Sequence, residues 1–255
     1  MAAKPAVQEV KVVPAVAPVP ESTAVVSWQD ELKAMAVTVA DTEKATGNWV
    51  SFKGGMLTIG GNPQKDNKAG CVVVGSVFEN QWYKERYDPN NPTSPHCYAL
   101  SETDEDLKPH PDAAEPQAAT CAECPKNQWK SDPAGGKGKA CKNVRRLAII
   151  SAADLDKVEK AEFAIAKLPV TSVKNWSSYA SQIANILKLP PLAVLTEMSV
   201  VPNAKTQFQV EFALVDKINS DDTLQALLLK RAEAHPMLFA GYDKPADAAT
   251  VGKKF

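Results

Sequence analysis

The sequence predicts a mainly β domain with flanking helices, broken by a long insertion that carries most of its cysteines. Three observations predict this. Short apolar runs bounded by glycine pairs fill residues 47–78, the pattern of strands joined by tight turns. A further strand pair is expected over 194–201 and 207–215, the second with a clean alternation of Phe208, Val210, Phe212 and Leu214. Between these regions, residues 79–146 hold eight prolines and four of the five cysteines, with little that could form an ordinary core.

Residues 1–26 are built from Ala, Val, Pro and Lys. Prolines at that density prevent helix and remove sheet donors, so a disordered or polyproline-like arm is expected. Ser27 is a candidate N-cap for a helix, with Asp30 three residues on and Leu32, Met35, Ala36 and Val39 at helical spacing. Trp49 to Phe52, Met56 to Ile59 and Cys71 to Phe78 read as strands, and Leu147 to Ile150 resumes one. Residues 172–187 read as a helix with Trp176, Tyr179, Ile183 and either Ile186 or Leu187 on one face, ended by Pro190-Pro191. Asp222 opens a last helix expected to run through Glu233 and stop before Pro236. The resulting domain scheme is an arm at 1–26, one domain over 27–240 with its insertion at about 79–146, and a flexible tail at 241–255.

The chain has 255 residues, 44% of them hydrophobic and 23% charged, which suits a globular protein with a real core. No apolar run approaches the roughly 18–20 residues of a membrane span. The N-terminus lacks a compact apolar core followed by a small-residue cleavage site, so a cytoplasmic protein with reduced thiols is expected rather than a disulfide framework.

The cysteines then carry the chemistry. Cys121-Ala122-Glu123-Cys124 is a C-x2-C knuckle, whose spacing lets two thiolates converge on one tetrahedral ion. Cys141 follows Cys124 by 17 residues and Cys97 precedes Cys121 by 24. Four thiolates would complete a closed structural zinc site, with His96 and His110 as competing fourth ligands. A long segment without regular structure needs such a cross-link to stay folded. Cys71 lies in a valine-rich run and reads as a buried small hydrophobe. A redox dithiol is disfavoured because the knuckle does not open a helix in a βαβ setting. Nucleobase deaminases pair a His-x-Glu element with Pro-Cys-x-x-Cys. Here the proline follows the pair, and His110-Pro111-Asp112 lacks the Glu. Four thiolates also leave no coordination site for a catalytic water, so a non-enzymatic protein is expected.

Between Lys126 and Arg146 the charged residues are Lys126, Lys130, Lys137, Lys139, Lys142, Arg145 and Arg146 against Asp132 alone. Upstream, Glu102, Asp104, Glu105, Asp106, Asp112 and Glu115 face only Lys108. The formal net charge of -1 thus conceals an acidic loop beside a basic one. Trp82, Tyr83, Tyr87, Tyr98 and Trp129 lie in the same region. Aromatic rings among cations are what single-strand binding uses, since bases stack on the rings while cations track the phosphates. Some of these rings are expected to pack around the loops instead.

The stretch Cys121-Ala-Glu-Cys-Pro-Lys-Asn-Gln-Trp-Lys-Ser, with Gly136-Lys-Gly-Lys-Ala-Cys-Lys-Asn-Val-Arg-Arg-Leu, resembles a segment of bacteriophage-encoded, zinc-containing single-stranded-DNA-binding proteins. The resemblance covers residues 121–147. It implies a five-stranded barrel of the oligonucleotide-binding (OB) type with zinc loops emerging from it. It also implies one structural zinc at Cys121, Cys124 and Cys141, with Cys97 inferred, and a role in phage DNA replication or recombination in the host cytoplasm. The expected partners are single-stranded DNA and other replication or recombination proteins. On this reading Lys137, Lys139, Lys142, Arg145 and Arg146 meet phosphates, and some of Trp82, Tyr83, Tyr87 and Trp129 stack on bases. Single-strand-binding proteins of this kind often end in an acidic tail with a terminal aromatic. This chain ends Val251-Gly252-Lys253-Lys254-Phe255, with the ring but without the acids. The competing expectation is a zinc-stabilised structural or assembly protein, to which the proline-rich arm and acidic loop are suited.

Overall fold

A computed structural model describes residues 27–42, 49–85 and 93–243. The expected arm at 1–26, Tyr87 and the tail from 244 onward lie outside the described residues. The chain divides into two compact units, 1–44 and 45–255. The described part of the first is α1 (Trp28–Thr42), with Asp30 and Glu31 in its first turn. Ser27 opens it through its backbone carbonyl, which accepts from Asp30 N at 2.8 Å and Glu31 N at 3.0 Å. The sequence placed this helix inside the main domain; it belongs instead to the first unit.

The second unit is built on one nine-stranded sheet where five strands were expected. Its strands are β1 (Trp49–Ser51), β2 (Thr58–Ile59), β3 (Asn62–Pro63), β4 (Lys68–Trp82), β5 (Cys97–Ser101), β6 (Lys142–Ser151), β7 (Ala164–Leu168), β8 (Val194–Asn203) and β9 (Gln207–Lys217). They are ordered β3-β2-β1-β7-β6-β4-β8-β9, with β5 also on β4. β1 pairs β7 in parallel. The 15-residue β4 organises the sheet. One edge pairs β6 from Cys71 to Gln81; the other pairs β8 over Lys68 to Cys71 and β5 over Phe78 to Trp82.

The sheet curls into a half-barrel. One apolar cluster unites Val50 near one end with Val210 near the other, together with Leu147, Ile149, Leu168 and Met198. Gly55 beside Phe208 is called for by its φ of +76 rather than by space, since a Cβ there would make an ordinary 3.7 Å contact. Helix α2 (Val173–Gln182) buries Trp176 and Tyr179 in this cluster, as its spacing predicts, and continues as a single π turn through Leu187. Successive strand residues face opposite ways, so Val72, Val74, Ala148 and Ile150 form a second cluster on the outer face. Helix α3 (Asp221–Leu238) covers that face with Leu227, Ala234 and Leu238.

Three expectations need correction. The insertion is narrower than 79–146, because β4 runs to Trp82, β5 occupies 97–101 and β6 starts at Lys142. The polar run Glu79, Asn80 and Gln81 hid the strand, yet all three side chains are buried. Helix α3 does not stop before Pro236 but continues to Leu238. Leu238 is buried and its carbonyl accepts from Arg146 Nη1 at 3.1 Å, which holds the turn that follows the proline. The domain also extends past 240: a Cβ at Gly241 would lie 2.6 Å from the Tyr98 hydroxyl, and Tyr242 is tied into the sheet. Among the described residues no helix is long and apolar enough to cross a membrane.

Candidate metal centre and nucleic-acid interface

Chain from β5 to β6 folds against the end of β4 through side-chain and backbone hydrogen bonds outside the sheet ladders. Asn127 is its hub. Its amide donates to the Cys121 carbonyl at 2.8 Å, and its Oδ1 accepts from Asn143 Nδ2 at 2.9 Å and Lys139 Nζ at 3.2 Å. Asn143 reaches on to Asn80 of β4, and Gln128 Nε2 donates to the Ala122 carbonyl at 3.0 Å. Cys141 N donates to the Lys126 carbonyl at 2.8 Å and Cys121 N to the Leu107 carbonyl at 3.0 Å. A small cluster of Phe78, Ala99, Leu107 and Cys121 is the only apolar core of this region among the described residues.

The four cysteines converge. Cys97, Cys121, Cys124 and Cys141 all line one cavity of about 10 Å³, walled also by Asn80, Trp82 and Tyr98. That volume is about one water-sized sphere. Neither His96 nor His110 lines it. His110 sits with Tyr98 instead, its ring stacked at 4.8 Å and its Nδ1 2.9 Å from the Tyr98 hydroxyl. Of the three candidates for a fourth position, Cys97 lines the cavity with the other cysteines, whereas His96 and His110 do not. All four are free and buried.

Burial pushes the Cys141 thiol up to about 12, with Cys121, Cys124 and Cys97 adding to the effect. Burial likewise raises Cys97 and Cys121, each further opposed by its thiol neighbours. Thiols raised in this way stay protonated at neutral pH unless a nearby cation stabilises their thiolates. As placed, no group of three or more His, Cys, Asp or Glu side chains among the described residues could hold a metal ion. The shared cavity and the mutual electrostatic opposition show the four thiols as neighbours. Coordination would require their sulfurs to draw inward onto the ion. The donor set fits zinc in its chemistry and its enclosure. Cys71 is separate, 1% exposed, with burial pushing its thiol up to about 12.

The cations and rings expected at a DNA surface are distributed unevenly. Trp129 stands 74% exposed, with Lys139 Nζ 5.3 Å over its ring. Lys137 is exposed; Lys142 is exposed and bonds Asp132 at 2.9 Å. Trp82 is half-buried against the cavity, with Lys126 5.4 Å over its ring and His96 edge-on at 6.1 Å. Tyr83 is half-buried and donates to Gln81 Oε1 at 2.9 Å. Arg145 lies half-buried with its guanidinium 3.0 Å over the Phe78 ring, and its Nε finds no hydrogen-bond partner. Burial lowers its pKa to about 10, which still leaves it cationic at neutral pH.

Arg146 must be removed from the expected set. It is 2% exposed, on the opposite face from Arg145, and its donors go to Glu79, the Leu238 and Ala240 carbonyls and Tyr242. An arginine so committed presents nothing to a phosphate. Nothing in the sequence marks this cluster of Glu79, Arg146, Lys167 and Tyr242. Its acid and its cations are far apart in sequence, and only the β4–β6–β7 register brings them together. Comparison with known proteins finds no matching family model, no matching curated protein and no matching solved structure.

Proposed function

We propose that this chain binds single-stranded DNA without sequence preference, in phage replication or recombination, through a loop region fixed by one structural zinc on Cys97, Cys121, Cys124 and Cys141. The observation that carries the reading is Trp129. A large ring 74% exposed, beside a lysine and on the loop between Cys124 and Cys141, offers a face that a flat ligand can cover. A nucleic-acid base does so while the flanking cations meet phosphate.

Strand connectivity supports an OB-type reading of the half-barrel. β4, β6 and β7 form an antiparallel meander, α2 follows, and β8 and β9 return to pair on the other edge of β4. OB barrels bind oligonucleotides with the loop between their first two strands and the loop between their last two. Here those positions are the cysteine region between β4 and β6 and the turn between Asn203 and Gln207. Titration of a labelled oligonucleotide at two salt concentrations tests the proposal. Single strands should bind more tightly than duplex and lose affinity steeply with salt. Equal affinity for duplex, or indifference to salt, overturns it.

A second reading, an assembly protein held through protein contacts, is favoured by α1, where Trp28, Leu32, Met35 and Val39 are each at least 55% exposed. Charge reversal at Lys139 and Arg145 separates the two. It abolishes DNA binding under the first reading and leaves self-association unchanged under the second.

A further inference from the structure

A second cavity lies where the sheet splits. On one edge of β4, β8 stops pairing at Cys71 and β5 begins at Phe78. Between them, β4 has a strand neighbour on its β6 side alone, and a bulge falls between Val73 and Gly75. Val73 to Ser76 border a cavity of about 370 Å³ at this gap, a size typical of ligand sites. Its floor is apolar, with Trp176 from α2, Leu192 and Leu238 from α3. Its polar side carries two α3 residues one turn apart, Arg231 and His235, and opposite them Glu102. Glu102 Oε1 is 4.0 Å from Arg231 Nη2 and 3.9 Å from His235 Nε2, a loose arrangement on exposed side chains.

We propose that this split binds a short extended peptide bearing a carboxylate, independently of any nucleic acid. The free edge of β4 offers main-chain donors and acceptors of the kind an added strand uses. On that edge no strand pairs β4 between Cys71 and Phe78, so a peptide backbone placed there displaces no native strand. Apolar side chains of the peptide would rest on Trp176 and Leu238, and its carboxylate would take the place Glu102 now holds beside Arg231. Arg231 favours a carboxylate because its planar donors match the two oxygens, and His235 supplies a further ring nitrogen.

The test is an NMR titration of the isotope-labelled full chain with the probe acetyl-Thr-Val-Leu-Asp-amide and its Asn counterpart. The Asp peptide should shift the backbone amides of Val73 to Ser76 and the Arg231 side chain, saturably. The Asn peptide should bind about 5-fold or more weakly, since it loses a charge-assisted bond. Glu102→Gln, which removes the competing carboxylate from an exposed position, should tighten the Asp peptide. Arg231→Ala should erase the difference between the two peptides. Shifts confined elsewhere, equal binding of both peptides, or indifference to Glu102→Gln overturns the proposal.

Discussion

Arg146 Nη2 lies 2.9 Å from Glu79 Oε1, and the two side chains are only 3% and 0% exposed. Lys167 Nζ stands 3.3 Å from the same oxygen, and the Tyr242 hydroxyl donates to it as well. Arg146 also bonds the Leu238 and Ala240 carbonyls, so one ion pair joins β4, β6, β7 and the end of α3. Burial alone would raise the Glu79 pKa, but Lys167, Arg146 and the hydrogen bonds from Arg146 and Tyr242 hold it below the usual range.

Glu79→Gln should therefore cost about 3–5 kcal/mol, the penalty for leaving a buried cation without its partner. A carboxyl depressed in the folded state contributes stability above its unfolded pKa of about 4.3 and loses it as pH falls through the folded value. Denaturant melts from pH 7 to pH 3 should show the natural chain losing this contribution below about pH 4.3, while the variant changes less over the same span. Equal slopes for the two proteins would mean that the Glu79 carboxyl is not held below its unfolded value.

Gly241→Ala tests the same clamp from its other side. A Cβ there would lie 2.6 Å from the Tyr98 hydroxyl, which is already fixed by His110 Nδ1 and by the Tyr242 amide. The ring cannot give way without breaking those bonds. A loss of about 1–3 kcal/mol is expected, the range for overpacking a fitted contact. Faster proton exchange at the amides of 239–243, with the β4–β6 ladder unaffected, would show that the damage is local.

For the metal, the purified chain should carry one zinc, and serine at Cys97, Cys121, Cys124 or Cys141 should each remove it. Cys71→Ser, His96→Ala and His110→Ala should retain it, because none of those side chains lines the thiol cavity. Cobalt substitution should give a tetrahedral four-sulfur spectrum. Full metal content in the Cys97→Ser chain would exclude Cys97 as a ligand.

These residues also show how much was legible in the sequence. The knuckle and its spacing marked thiols that do gather around one cavity, because closely spaced cysteines are a local pattern. Alternation marked β9, and helical spacing placed Trp176 and Tyr179 in the core, where both are buried. Arg145 and Arg146 were indistinguishable as adjacent cations in a basic run. Strand alternation sends them to opposite faces, and register alone decides that one meets Glu79 and the other Phe78. β7 was missed because Ala164-Ile165-Ala166-Lys167-Leu168 has little apolar contrast and takes its place from pairing with β6. The split beside Val73 had no sequence signal, since it arises where β8 and β5 part.

That contrast between neighbouring arginines makes the sharpest test of DNA binding. Trp129→Ala should weaken single-strand affinity by about 1–3 kcal/mol, the contribution of one stacked base. The fold should be unchanged, since that ring is 74% exposed. Arg145→Ala should also weaken binding and flatten the salt dependence by about one counterion, at little cost in stability. Arg146→Ala should instead unfold the chain at lower denaturant by exposing Glu79 to an uncompensated burial. Binding per folded molecule should stay unchanged in that variant, because Arg146 faces away from the loop that carries Trp129. Affinity and melting curves measured together on the three variants decide the matter. If Arg145→Ala leaves the salt slope intact, the loop cations do not meet phosphate and the DNA reading fails at its basic surface.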